Sequence, residues 1–198
     1  EGVGTEGLEW IKRVKDETGM KATIEVATPY HIEMALKAGI DILWLGARTT
    51  ASPFAMQEIA NSLKGTDIPI FVKNPINPDI ELWIGALERL AHAGVNRLAA
   101  IHRGFSTYGD TTYRNTPIWE IATELRSRIP QLPILCDPSH IGGKSELVKP
   151  LAEKALCLNY NGFFIETHIN PSKALSDSRQ QITPEALHQL LTELNIKL

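Results

Sequence analysis

The side chains able to do chemistry sit in three short stretches. Ile134 to His140 reads Ile-Leu-Cys-Asp-Pro-Ser-His, Phe163 to His168 reads Phe-Phe-Ile-Glu-Thr-His, and Ala174 to Asp177 reads Ala-Leu-Ser-Asp. The first two are apolar runs that end abruptly in charged and imidazole groups. A buried parallel strand has this pattern when its C-terminal end opens into an active site. His140, Glu166 and Asp177 are therefore read as one cluster. An imidazole and two carboxylates form a mixed donor set that suits a divalent ion such as manganese, iron or zinc better than calcium or magnesium. Three protein ligands and a water can complete a catalytic site. Taken singly, each residue has a plainer use: a histidine after a strand is commonly a structural hydrogen-bonding group, and Asp177 between Ser176 and Ser178 suits a turn.

The elements that must position these groups alternate along the chain. Leu8 to Glu17 carries apolar residues at Leu8, Ile11 and Val14 with charges between them, an amphipathic helix ending at Gly19. Lys21 to Val26 is a short strand, and Pro29 to Ala38 is a helix stopped by Gly39. The strand from Ile40 to Leu45 leads directly into Gly46, Ala47 and Arg48. The cycle repeats with a helix over Pro53 to Leu63, a strand over Ile68 to Val72 ending in Lys73, a helix over Pro78 to Ala93, and a strand over Arg97 to Ile101 before His102-Arg103-Gly104. A loop from Phe105 to Thr116 precedes a helix beginning at Pro117, and Leu132 to Cys136 is the next strand. Ser145 to Leu158, Gly162 to Ile165 and Thr183 to Asn195 read as helix, strand and helix, the last with a threonine cap and proline in its first turn.

Six strands, each followed by a helix, call for a parallel sheet. Glu25, Arg48, Lys73, Arg103, His140 and Glu166 all fall at strand C-terminal ends, which is the active-site face of a (β/α)8 barrel. A doubly wound open sheet would instead gather its ligand groups at one switch point, often with a glycine-rich phosphate loop, and the sequence has none. The expectation is an α/β chain forming one partial (β/α)8 barrel domain over residues 1–198, two βα units short.

Composition limits the function classes. The chain has 198 residues, is 43% hydrophobic and 22% charged, and carries a formal net charge of -3 without runs of like charge. Such a balance gives no general attraction to nucleic acid or anionic membranes, so any phosphate binding must come from local cations. No apolar run reaches the roughly 18 residues needed to cross a bilayer, and the opening residues do not read as a signal peptide. Cys136 and Cys157, without metal-type spacing, read as reduced thiols of a cytoplasmic protein.

The seven motifs Ile24-Glu25-Val26, Gly46-Ala47-Arg48, Val72-Lys73, His102-Arg103-Gly104, Asp137 to His140, Glu166-Thr167-His168 and Ala174 to Asp177 together resemble 3-deoxy-D-arabino-heptulosonate 7-phosphate synthase, in the short bacterial branch of its type I form. The likeness runs through the whole chain in order. It implies condensation of phosphoenolpyruvate with erythrose 4-phosphate, the entry to the shikimate pathway, by a metal-dependent homo-oligomer. Some members of the branch carry a fused chorismate mutase. Carried over motif by motif, the resemblance makes His140, Glu166 and Asp177 metal ligands for Mn2+, Fe2+ or Zn2+. It places Ala47, Arg48, Lys73 and Arg103 at phosphoenolpyruvate, with Lys73 also catalytic. Glu25 would orient or deprotonate the attacking water, while Asp137 and His168 would orient ligands or substrate. His102 stands where many members have glutamate.

In the family a cysteine on the first strand is the fourth metal ligand, and a Lys-Pro-Arg-Thr-Ser motif ends the second. Neither is in these residues. The expectation is therefore a longer working protein, with roughly 60 or more further N-terminal residues for two βα units. Cys136 is a poor substitute ligand, because strand alternation turns it away from Asp137. Two other readings stay open. One is a 3-deoxy-octulosonate 8-phosphate synthase, which runs the same chemistry on a five-carbon sugar phosphate; the other is an inactive or regulatory subunit.

Overall fold

The computed structural model describes residues 3–109 and 112–196. Glu1 and Gly2 of the opening stretch, Asp110 and Thr111 of the expected long loop, and Lys197 and Leu198 lie outside the described residues. The order of elements is α1 (Thr5–Thr18), β1 (Thr23–Glu25), α2 (Pro29–Lys37), β2 (Ile42–Leu45), α3 (Ala47–Thr50), α4 (Pro53–Ser62), β3 (Ile70–Lys73), α5 (Ile80–His92), β4 (Leu98–His102), α6 (Trp119–Arg128), β5 (Ile134–Cys136), α7 (Pro138–Gly142), α8 (Val148–Cys157), β6 (Gly162–Phe163) and α9 (Pro184–Glu193). The strands form one sheet in chain order from β1 to β6. This is a partial (β/α)8 barrel of six strands, as expected. No helix among the described residues is long and apolar enough to cross a membrane.

Local chemistry sets most helix starts. Thr28, Ser52, Asp79 and Thr183 each accept an N–H from three residues ahead, and Pro29, Pro53 and Pro184 occupy the first turn where no donor is needed. Helix α6 departs from expectation by starting at Trp119 instead of Pro117. The Pro117 carbonyl accepts from Nε2 of buried His102 at 2.6 Å, and Ile118 is left-handed at φ 36°, so neither residue can continue a helix backwards. Two one-turn helices, α3 and α7, replace expected loops and carry Arg48 and His140.

By packing, the chain divides into two compact units, one over residues 1–75 and 79–100, the other over 76–78 and 101–198. In the first, β1 to β3 pair in parallel with Glu25 beside Trp44 and Trp44 beside Phe71. Leu43 pairs with Ile70 and Leu45 with Val72, and all four are buried. Met56 and Ile59 of α4, and Trp83 and Leu90 of α5, complete this core. Because side chains alternate along a strand, Glu25, Trp44, Phe71 and Lys73 share the opposite face. Helix α1 buries no residue, and Val14 of its apolar stripe is half exposed, as is Trp10.

In the second unit, β5 and β6 pair in parallel, and Asp137 N–H donates to the His102 carbonyl at 2.8 Å. Ile101, Ile134, Leu125, Ile141, Leu151 and Ala155 are buried around them. Val148, Ile182 and Leu190 form a further cluster, with Ile165 and Leu187 packed against it. The segment after Gly104 is more than a connector. Phe105 and Thr116 bridge it with paired backbone bonds, and Arg114 and Asn115 donate their N–H groups to Gly142 and Ile141 of α7.

Candidate metal centre

Strand β5 delivers Asp137 to the start of α7, where it does two things with one carboxylate. Oδ1 accepts the N–H of His140 at 2.9 Å, capping the helix, and Oδ2 lies 2.8 Å from Nδ1 of the His140 ring. Nδ1 makes no regular hydrogen bond, but this buried nitrogen faces a buried carboxylate across that distance. The pairing favours the proton on Nδ1 and leaves the Nε2 lone pair free to bind a cation, the usual arrangement around a ligating histidine.

Glu166 and Asp177 arrive from the loops after β6. Ser139 Oγ accepts the Glu166 N–H at 3.0 Å, and the Glu166 carbonyl accepts from Ile182. Asp177 takes a left-handed backbone at φ 52°, a conformation aspartate tolerates in turns, so its turn-forming and ligand readings coincide. One ligand atom from each of His140, Glu166 and Asp177 lies within 4.8 Å of the others. Nε2 of His140 is 3.9 Å from Oε1 of Glu166 and 4.0 Å from Oδ2 of Asp177. Ligands about 2.1 Å from one ion stand roughly 3.0 to 3.6 Å apart, so a divalent ion could be taken up with shifts below about 1 Å. Charge also fits. Glu166, Asp177 and Asp137 bring three carboxylates around a neutral imidazole, and Arg114 supplies one cation at 2.7 Å from Asp177. A divalent ion would leave the group formally neutral.

Arg114 and Gln180 are the residues sequence reasoning missed. Nη1 of Arg114 donates to Oδ1 of Asp177 at 2.7 Å and to Oε1 of Gln180 at 2.6 Å, and Nε2 of Gln180 donates to Oε2 of Glu166 at 2.5 Å. Neither sits in a motif, and Arg114 lies 63 residues from Asp177. Beside them opens a cavity of about 420 Å³ whose lining includes Arg114, Gly143, Lys144, Asp177, Arg179 and Gln180.

The remaining predicted residues fall as follows. Glu25 ends β1 and is exposed, with its carboxylate so close to Gly46 that a Cβ there would lie 2.1 Å from Oε1. Ala47 and exposed Arg48 lie in α3, and Lys73 ends β3, buried, with its ammonium 4.5 Å from the Trp44 ring centre. Arg103, half buried after β4, donates to Oδ1 of Asn115 at 2.6 Å. His168 stands outside the ligand group, its Nδ1 accepting the Asn170 N–H at 2.9 Å in a local turn. His102 turns into the core, with Nδ1 2.8 Å from the Tyr160 hydroxyl and its ring edge-on to Trp119. Burial lowers its pKa to about 4. Cys136 is fully buried, and burial, reinforced by the Asp137 charge, holds its thiol well above the usual range. It lies outside the ligand group among the described residues.

Comparison with known proteins agrees with the fold and with the family resemblance. The family model of the DAHP synthetase I family matches residues 1–197. A phospho-2-dehydro-3-deoxyheptonate aldolase of Thermotoga maritima is 31% identical over 194 residues, covering 98% of this chain and 55% of the relative, so the chain spans little more than half of that protein. A 2-dehydro-3-deoxyphosphooctonate aldolase of Wolinella succinogenes is 29% identical, with 98% of this chain and 78% of the relative covered. The crystal structure of a Thermotoga maritima DAHP synthase superposes with a TM-score of 0.86 at 28% identity, over 98% of this chain and 56% of the other. The chain belongs to the DAHP synthetase I family.

Proposed function

We propose that this chain is catalytic machinery for condensing phosphoenolpyruvate with erythrose 4-phosphate to 3-deoxy-D-arabino-heptulosonate 7-phosphate and phosphate. The observation that carries the reading is the His140, Glu166 and Asp177 group, oriented by Asp137, in a chain matched by the family over residues 1–197. A manganese, iron or zinc ion held by these three residues would supply Lewis acidity toward the sugar aldehyde. The chain's own groups would serve phosphoenolpyruvate and the attacking water. Arg48, Lys73 and Arg103 offer cations for the phosphate and carboxylate of phosphoenolpyruvate, and the Arg103 fork is held in place by Asn115. The enol carbon bonds to the aldehyde carbon as the aldehyde C=O π bond opens and its oxygen takes up a proton to become a hydroxyl; positive charge develops at the adjacent carbon, and water adds there while Glu25 accepts its proton. The phosphate then leaves with its bridging oxygen and takes up the proton of the added hydroxyl, whose oxygen becomes the keto group.

The octulosonate relatives keep a second reading open, in which the acceptor is the five-carbon arabinose 5-phosphate. One assay separates the two: loss of phosphoenolpyruvate by the purified full-length protein, metal-replete or treated with chelator, with each sugar phosphate in turn. Chelator-sensitive turnover that prefers erythrose 4-phosphate supports the first reading, and a preference for arabinose 5-phosphate moves the protein to the second. No loss with either sugar phosphate in a metal-replete sample overturns both and leaves a non-catalytic subunit.

Glu25 can be tested without altering its own chemistry. The group that Gly46→Ala would strike is the end of a flexible side chain, so the fold should absorb it at a cost of about 1 kcal/mol or less. The carboxylate must swing away. Turnover should then fall about 100-fold, the lower range of what a positioned acid–base group contributes, with the unfolding midpoint nearly unchanged. Undiminished turnover would remove Glu25 from the reaction.

A further inference from the structure

We propose that Arg114 and Gln180 act together as a clamp that positions the two carboxylate ligands for the metal; this rests on the metal reading of the site given above. Each ligand carboxylate has two oxygens, and in each the clamp engages one. Oδ1 of Asp177 is held by Arg114, and Oε2 of Glu166 is held by Gln180. The other two, Oδ2 and Oε1, are the atoms that stand 4.0 and 3.9 Å from Nε2 of His140. Fixing one oxygen fixes the rotation of the carboxylate, so the clamp aims the second oxygen at the imidazole lone pair.

The Gln180 side chain can serve in only one orientation. Its Oε1 accepts from the guanidinium and its NH₂ donates to the carboxylate. Turning the amide over would set oxygen against oxygen and donor against donor. Gln180 is 1% exposed, so water does not compete for these bonds. Arg114 is placed with similar strictness. Its backbone is strapped to α7 through Gly142, and Asn115 donates its side-chain amide to the His140 carbonyl at 2.7 Å. The stem of Arg114 passes over Gly143, where a Cβ would lie 2.4 Å from the arginine Cβ and where φ is +66°. Glycine at 143 thus admits the arginine to the site. The residue whose backbone is tied to the first ligand's helix therefore reaches the third ligand, and through Gln180 the second.

Partners that orient metal ligands are commonly worth 10- to 100-fold in metal affinity. The test is a Mn2+ titration of the full-length protein, followed by calorimetry and by the electron paramagnetic resonance of free Mn2+, on wild type, Gln180→Met, Arg114→Ala, the double variant and His140→Ala. Unfolding of each metal-free protein is measured in parallel. Gln180→Met keeps side-chain volume without polar atoms, so it guards against a collapse of the fold. The expected result is Mn2+ affinity about 10- to 100-fold weaker in either single variant. The double variant should be little worse than the singles, because the two residues act as one unit. Metal-free unfolding of Gln180→Met should stay near wild type. Wild-type binding that His140→Ala abolishes but Gln180→Met and Arg114→Ala leave within about twofold would overturn the clamp alone. Absence of stoichiometric binding in wild type would bring down the metal reading and the clamp with it.

Discussion

Alanine at position 140 should cost the full-length protein its metal, with divalent-ion affinity falling about 1,000-fold or more, beyond the 10- to 100-fold typical of outer partners. Only the imidazole is removed. The backbone N–H that Asp137 caps at 2.9 Å remains, and alanine favours helix, so α7 should persist. Two carboxylates would then face each other without a nitrogen donor. Cys136 cannot take its place, since it is fully buried and its thiol is held protonated by burial and by the Asp137 charge. Equilibrium dialysis against Mn2+ or Zn2+, with circular dichroism to confirm the fold, measures the effect. Retention of one tightly bound ion per chain in His140→Ala would show that the ligands lie elsewhere.

Acid should destabilise the protein through His102, beginning at a pH above the range in which its carboxylates are titrated. Burial is the main cause of its low pKa; the Pro117 carbonyl and the Asp137 charge act in the opposite sense without overcoming it. The folded chain resists protonation until about pH 4, whereas the unfolded chain takes up the proton near the usual 6.5. Stability from this group is therefore complete above pH 6.5 and is lost as pH falls from 6.5 toward 4, by about 3 kcal/mol in all. Denaturant unfolding at pH 7.0 and 4.5, for wild type and His102→Gln, isolates the contribution. The glutamine variant keeps a donor and an acceptor but does not titrate, so its stability should change less across the interval. Equal losses in both proteins would assign the acid sensitivity to other groups.

The legible parts of the fold were those set by neighbours in sequence. Thr28-Pro29, Ser52-Pro53 and Thr183-Pro184 mark helix starts because the cap and the missing donor are local. The apolar runs before Lys73, His102 and Asp137 mark strands because their burial demands continuous hydrophobicity. Helices α3 and α7 were not legible, since four or five residues cannot offset the cost of nucleating a helix alone. What holds α7 is the Asp137 cap and the strap from Arg114 and Asn115, a contact across some 25 residues. In the same way His140 and Glu166 announce themselves by residue type at strand ends, and Asp177 by its short motif. Arg114 and Gln180 do not, because an arginine in a loop and a glutamine in a pair acquire meaning only when the chain folds back. His102 misleads in the other direction: its place beside Arg103 suggests the site, but alternation along β4 turns it into the aromatic core with Tyr160 and Trp119.

Helix α1 has an energetic position of its own. It buries no residue, and Lys15 anchors it through an ion pair with Asp41 and a bond to the Gly39 carbonyl. A single ion pair at the surface adds little to stability, so detachment of α1 is a low-energy excursion that need not disturb the buried strands. Its amides should exchange with solvent far sooner than those of Leu43 or Val72. A protease would find Lys12, Arg13 and Lys15 in a segment that opens on its own, and the half-life of an intact chain would be governed by α1 while the sheet behind it stayed folded.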